Sequence, residues 1–128
     1  MADDPLRLDG RRLLIVEDTF AVAQALAWDL GSYGSVDVEM AASRQAALEK
    51  VNAESFDGAL LDVNLAGESV GEVAERLQAQ AVPFVFITGY DDESLLGDRF
   101  AGVPRFLKPV DSEQVVRKLN ELMQERPG

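Results

Sequence analysis

The stretch Ala59-Leu60-Leu61-Asp62 decides how this chain is read. Three apolar residues in an unbroken run suit a strand covered on both faces, as in a parallel sheet. The aspartate that ends the run is the least bland of the polar residues at the strand ends. A turn residue at that point would normally be free of such apolar company. Asp62 is therefore read as a carboxylate set at the end of a central strand.

Working outward, four more strand signals flank this one. Leu13 to Val16 and Phe84 to Ile87 are continuous apolar runs. Val36, Val38 and Met40 alternate with Asp37 and Glu39, the pattern of an edge strand. Phe106 and Leu107 form the last and shortest run. Helical stripes lie between them. Ala23, Leu26 and Leu30 share one face, as do Leu48 and Val51 in a helix that Ser43 can cap. Ser69 and Glu72 make a capping-box pattern before Val70, Val73, Ala74 and Leu77. Asp111 and Gln114 give a similar start signal before Val115, Leu119 and Leu122. Asp91 to Gly102, where a fourth helix belongs, holds Gly97, Gly102 and only two adjacent leucines, Leu95 and Leu96. Its helical signal is weak.

Alternation of strand and helix five times over implies a parallel sheet with helices on both faces and right-handed crossovers. An edge position for the second strand fits the order 2-1-3-4-5. The expected fold is α/β, a flavodoxin-like (βα)5 doubly wound sheet with a short or irregular fourth helix. Such sheets bind ligands beyond the carboxyl ends of their strands, near the switch point between strands one and three.

Composition narrows the chemistry. A chain of 128 residues holds one domain, and 47 % hydrophobic content argues against disorder. No window approaches about eighteen uninterrupted apolar residues, so no membrane insertion is expected. The first residues lack an apolar signal core, and a cytoplasmic location is expected by default. Cysteine and histidine are both absent, which excludes disulfides, thiolate or imidazole metal sites and His-based nucleophilic catalysis. A net charge of −11 disfavours direct nucleic-acid binding. Residues 1–11 are read as a polar N-terminal tail, 12–124 as the domain and 125–128 as a C-terminal tail.

What remains is carboxylate, hydroxyl and lysine, and these gather at the strand ends. Glu17 and Asp18 follow the first strand, Asp62 the third, Thr88 the fourth, and Lys108 with Pro109 the fifth. Three carboxylates brought together repel unless a cation sits among them. A hard divalent cation, Mg²⁺ or Mn²⁺, suits oxygen ligands and leaves positions for phosphoryl oxygens. Lysine and threonine can take the remaining oxygens.

At this point the chain resembles the response-regulator receiver family of two-component signalling. The likeness runs from Leu13 to about Met123. It is carried by Val16-Glu17-Asp18, Leu61-Asp62, Thr88-Gly89 and Lys108-Pro109. The resemblance implies that Glu17 and Asp18 are the acidic metal-binding pair and Asp62 the phosphoacceptor and metal ligand. It implies that the backbone carbonyl of Asn64 is a further ligand, Thr88 the switch hydroxyl and Lys108 the phosphate-binding lysine. A cis peptide before Pro109 is expected, as in relatives. One position departs: where receivers carry Tyr or Phe three residues before the lysine, this chain has Arg105. Phe106 stands one residue late, and Tyr90 lies two after Thr88, so either can serve as the switch aromatic. Phe86-Ile87-Thr88-Gly89-Tyr90 resembles the F-A-T-G-Y signature of the FATGUY subgroup, stand-alone receivers mostly of alphaproteobacteria linked with general stress signalling.

The expected function follows. It is a single-domain response regulator, not an enzyme in the turnover sense, that catalyses only its own phosphorylation and dephosphorylation. Its expected partners are a histidine kinase or histidine phosphotransfer protein and a downstream protein. The chain itself is expected to be a monomer or weak dimer. Two other readings stand beside it. A haloacid-dehalogenase-type phosphatase wants a second Asp two residues after the nucleophile, where this chain has Asn64, and a nucleophile after the first strand. An unphosphorylated binding module has no need of all five site residues.

Overall fold

The computed structural model describes residues 4–89, 96 and 98–125. Five parallel strands form the central sheet: β1 (Arg12–Val16), β2 (Asp37–Ala41), β3 (Gly58–Asp62), β6 (Phe84–Thr88) and β7 (Arg105–Leu107). Their order is β2-β1-β3-β6-β7, which is the expected 2-1-3-4-5 once a small hairpin is set aside. That hairpin, β4 (Asn64–Leu65) and β5 (Glu68–Ser69), follows Asp62 directly and turns through Gly67 at φ 91°. Four helices are present among the described residues: α1 (Phe20–Gly31), α2 (Arg44–Ala53), α3 (Gly71–Ala79) and α4 (Ser112–Glu125). The expected irregular fourth helix falls mostly outside the described residues. Its described remainder, residue 96 and residues 98–102, is turn.

Alternation along each strand divides the core in two. One side holds Leu14, Val16, Ala59, Leu61, Phe84 and Phe86 against α2 and α3. The other holds Leu13, Ile15, Leu60, Val85 and Ile87 against α1 and α4. β3 and β6 are buried at all five positions, as strands covered on both faces must be. β2 is exposed at Asp37 and Met40, half-buried at Val38 and Glu39 and buried only at Ala41, so the alternation read from the sequence is not kept in its burial. On the first side Phe100 meets the rings of Phe84 and Phe86 edge-on, at 6.5 and 5.6 Å.

Two local readings differ from the sequence expectation. Ser69 does not open a capping box. Its Oγ accepts from the Gly71 N–H at 3.1 Å, while Val70 holds the N-cap position without a side-chain bond. The hairpin draws Ser69 into β5, one residue too early to cap α3. The second difference is at the N-terminus, where the described residues are docked rather than free. Leu8 is fully buried, and its N–H donates to the Tyr33 carbonyl at 2.8 Å. The buried Asn120 amide of α4 donates to the carbonyls of Pro5 and Arg7, at 2.7 and 3.0 Å. Gly34 makes the close approach possible. Its φ is +138°, and a Cβ there would meet Asp9 Oδ1 at 2.5 Å.

Candidate phosphorylation site

The strand register brings the site together. Val16 pairs with Leu61, Asp62 with Ile87 and Thr88 with Leu107, so the strand ends lie side by side. Backbone bonds fix the residues just beyond them. The Glu17 N–H donates to Ala41, Val63 to Ile87 and Lys108 to Thr88, at 2.9–3.0 Å. The peptide between Lys108 and Pro109 is cis.

Glu17, Asp62 and Thr88 are buried in the carboxyl edge of the sheet, and Asp18 is partly accessible. Lys108 reaches in from the rim. Its Nζ donates to Asp62 Oδ2 at 3.0 Å and lies 3.2 Å from Glu17 Oε2. Asp62 Oδ1 accepts from the Asn64 N–H at 3.1 Å, a bond made within the turn into β4. Glu17 Oε1 accepts from the Thr19 N–H at 3.1 Å. Its other oxygen, Oε2, is buried, and its alignment with Lys108 is too poor for a hydrogen bond.

The electrostatics follow from this crowding. Burial, with Asp62 beside it, pushes the Glu17 carboxyl up from 4.5 to about 7, against the pull of the Thr19 N–H and Lys108. Burial draws the Lys108 ammonium down, but the bond to Asp62 and the charges of Asp62 and Glu17 outweigh it, and its pKa is raised. Among the described residues Lys108 is thus the charged partner of both buried carboxyl groups.

Oxygens of Glu17, Asp18 and Asp62 lie within 4.8 Å of one another. Three carboxylates at that spacing, one of them with a buried oxygen lacking a hydrogen bond, fit a hard divalent cation. They offer nothing to a soft metal, because neither thiolate nor imidazole exists in the chain.

The remaining described residues of the predicted set lie on β6 and β7. Thr88 is buried at the end of β6, and its hydroxyl donates to the Gly89 carbonyl at 2.9 Å. Phe106 pairs in register with Ile87 and packs on the α1–α4 side. By strand alternation Thr88 belongs to the opposite side, so Phe106 does not share a face with it. Arg105 and Leu107 do, opposite Phe86 and Thr88 in the register. Tyr90 lies outside the described residues.

With this geometry in hand, the comparisons fall on one family. A model described as the response regulator receiver domain matches residues 13–120. The chain belongs to this family. Receivers act in phosphorylation-based signalling between histidine kinases and downstream effectors. This receiver is 28 % identical over 113 residues to the sensory transduction protein LytT of Bacillus subtilis, covering 86 % of this chain and 47 % of that protein. It is 30 % identical over 118 residues to the transcriptional activator protein IrlR of Burkholderia pseudomallei, covering 88 % of this chain and 50 % of that protein. The chain thus spans about half the length of the curated relatives it matches. A CheY-like receiver domain protein from Methanospirillum hungatei matches with a TM-score of 0.77 at 26 % identity, over 90 % of this chain and 94 % of that one. No helix among the described residues is long and apolar enough to cross a membrane.

Proposed function

We propose that this receiver is a phosphorylation switch whose acceptor is Asp62, supplied by the phosphohistidine of a kinase or phosphotransfer protein. The observation that carries this reading is the setting of the Asp62 carboxylate. It is buried, held on one oxygen by Lys108 and on the other by the Asn64 N–H, and flanked by Glu17 and Asp18.

The chain's own residues then divide the work. Asp62 presents a carboxylate oxygen in line with the phosphorus as the bond to the donor imidazole breaks. Lys108 follows the negative charge from carboxylate to phosphoryl oxygen. Thr88 gives up its bond to the Gly89 carbonyl and donates to the phosphoryl group instead. Glu17, Asp18, Asp62 and the Asn64 carbonyl would hold Mg²⁺ or Mn²⁺, which when bound would neutralise the phosphoryl oxygens. Asn64 stands where a phosphatase of the haloacid-dehalogenase type needs its acid, so turnover of outside substrates is not expected.

Because Phe106 faces away from Thr88, Tyr90 is the better relay to a partner surface. The stretch Phe86 to Tyr90 favours the FATGUY subgroup and with it a cytoplasmic stand-alone role in stress signalling.

The test is incubation with acetyl phosphate and Mg²⁺, read by intact-protein mass. One phosphoryl group should be added to the wild type and none to Asp62→Asn. Equal labelling of the variant would sink the assignment. Phosphotransfer profiling against the histidine kinases of the source organism then identifies the donor. In parallel, Tyr90→Ala should still be phosphorylated yet lose phosphorylation-dependent partner binding.

A further inference from the structure

The hairpin β4–β5 follows the acceptor directly, and packing does not account for the shape of its tip. Ala66, Gly67 and Glu68 are exposed there. Ala66 nevertheless holds φ 52° and Gly67 φ 91°, both in the left-handed region. Two such residues in a two-residue loop are the mark of a type I′ turn, whose usual residues are Asn or Asp followed by Gly. Alanine is strained in that place, because its Cβ crowds the following carbonyl. Strain of this kind persists only where the surroundings over-determine it, and it gathers at functional sites.

The restraints on the turn are visible. Leu65 is buried in the core, and the Val70 N–H closes the base of the hairpin on the Val63 carbonyl at 3.3 Å. Asn64 Oδ1 accepts from the Gly67 N–H at 2.8 Å. Glu68 on the far arm is ion-paired at 3.1 Å with Arg44 in the first turn of α2. The register says what these restraints aim. Leu65 pairs with Glu68 and Asn64 with Ser69. Beside a two-residue loop the nearest pair exchanges both main-chain bonds, and the next pair turns its N–H and C=O outward. The Asn64 N–H does leave the hairpin, to Asp62 Oδ1 at 3.1 Å. Its carbonyl leaves along the same edge, on the side of the acceptor.

We propose that the β4–β5 hairpin is the positioning element of the cation site, its left-handed turn at Ala66 and Gly67 setting the Asn64 carbonyl before a cation arrives. The inference rests on the reading of Asp62 and its neighbours as a cation-assisted phosphorylation site. Glu17, Asp18 and Asp62 supply charge. The hairpin supplies a neutral ligand whose direction is fixed in advance, so less order has to be imposed when the cation binds. Gly67 touches no ligand atom in this account. It acts through the backbone of Asn64, as a positioning residue.

Substitution at Gly67 in the whole chain tests this. A Cβ there would meet no atom within 4 Å, so a side chain acts only through the backbone. Asparagine accepts the left-handed region, alanine resists it and valine resists it most. Thermal melts across a Mg²⁺ titration give the apparent affinity, and melts in chelator record stability alone. Gly67→Asn should stay within about twofold of the wild-type affinity. Gly67→Ala should need more Mg²⁺ for the same shift, and Gly67→Val about tenfold more. The proposal is overturned if all three respond to Mg²⁺ as the wild type does, or if Gly67→Asn loses as much as Gly67→Val. It is overturned equally if the melting temperature in chelator falls while the affinity for Mg²⁺ stays, which would leave Gly67 a structural residue only. A wild type that Mg²⁺ does not stabilise is a different failure, because it removes the cation site itself.

Discussion

At the residue scale the governing fact is that Glu17 and Asp62 are buried together with one lysine between them. Glu17 is held protonated up to about pH 7 in the fold, against 4.5 for an ordinary glutamate. Between those values the folded chain binds more protons than the unfolded one, so stability falls as pH rises through that window. In chelator, the melting temperature should drop from about pH 5 to about pH 8, and the rise on adding Mg²⁺ should be larger at the higher pH. The experiment is clean because the chain has no histidine or cysteine to titrate in the same range. A chelated protein with a flat pH profile would count against a strained Glu17. Lys108→Ala should cost the metal-free fold about 1–2 kcal/mol in urea unfolding. That is less than the ~3–5 kcal/mol for breaking a fully buried pair, because the lysine is 35 % exposed. These residues were legible as a set in the sequence, since each follows an apolar run. The pairing of Lys108 with two carboxylates at once was not, because it depends on side-chain reach.

At the element scale the strands and helix caps behave as their residues dictate. Ser43 Oγ accepts from the Ala46 N–H at 3.1 Å and is the one N-cap of α2, so Ser43→Ala should cost about 1 kcal/mol in urea unfolding. In the central strand β3, Leu60 is 1 % exposed and packs toward α1 and α4, and Leu60→Ala should cost about 2–5 kcal/mol by the same measurement. Periodicity disclosed β1, β3 and β6 to within a residue, because unbroken apolar runs leave little freedom in how they are covered. It did not disclose β4 and β5. Strands of two residues have no period to read, and their cost to the prediction was the misplaced cap at Ser69. Nor did it disclose Phe100, a lone aromatic among turn residues, which completes the ring cluster on Phe84 and Phe86.

At the scale of the whole molecule, strand order and the site's position at the carboxyl edge of the sheet follow from alternation, handedness and the edge position of β2. The first residues do not. A leucine alone among polar neighbours shows no pattern, yet Leu8 lies in the same core as Leu13 and Leu119. Leu8→Ala should destabilise the fold by about 2–5 kcal/mol. The family model spans residues 13–120, whereas the packed body runs from Leu8 to Met123. A recombinant fragment trimmed to the shared segment would therefore lose a fully buried side chain at one end and the last turn of α4 at the other. It would also leave the Asn120 amide, 3 % exposed, with neither of its carbonyl acceptors. Such a fragment should be poorly soluble for reasons unrelated to signalling, and fusions or tags belong outside residues 4–125.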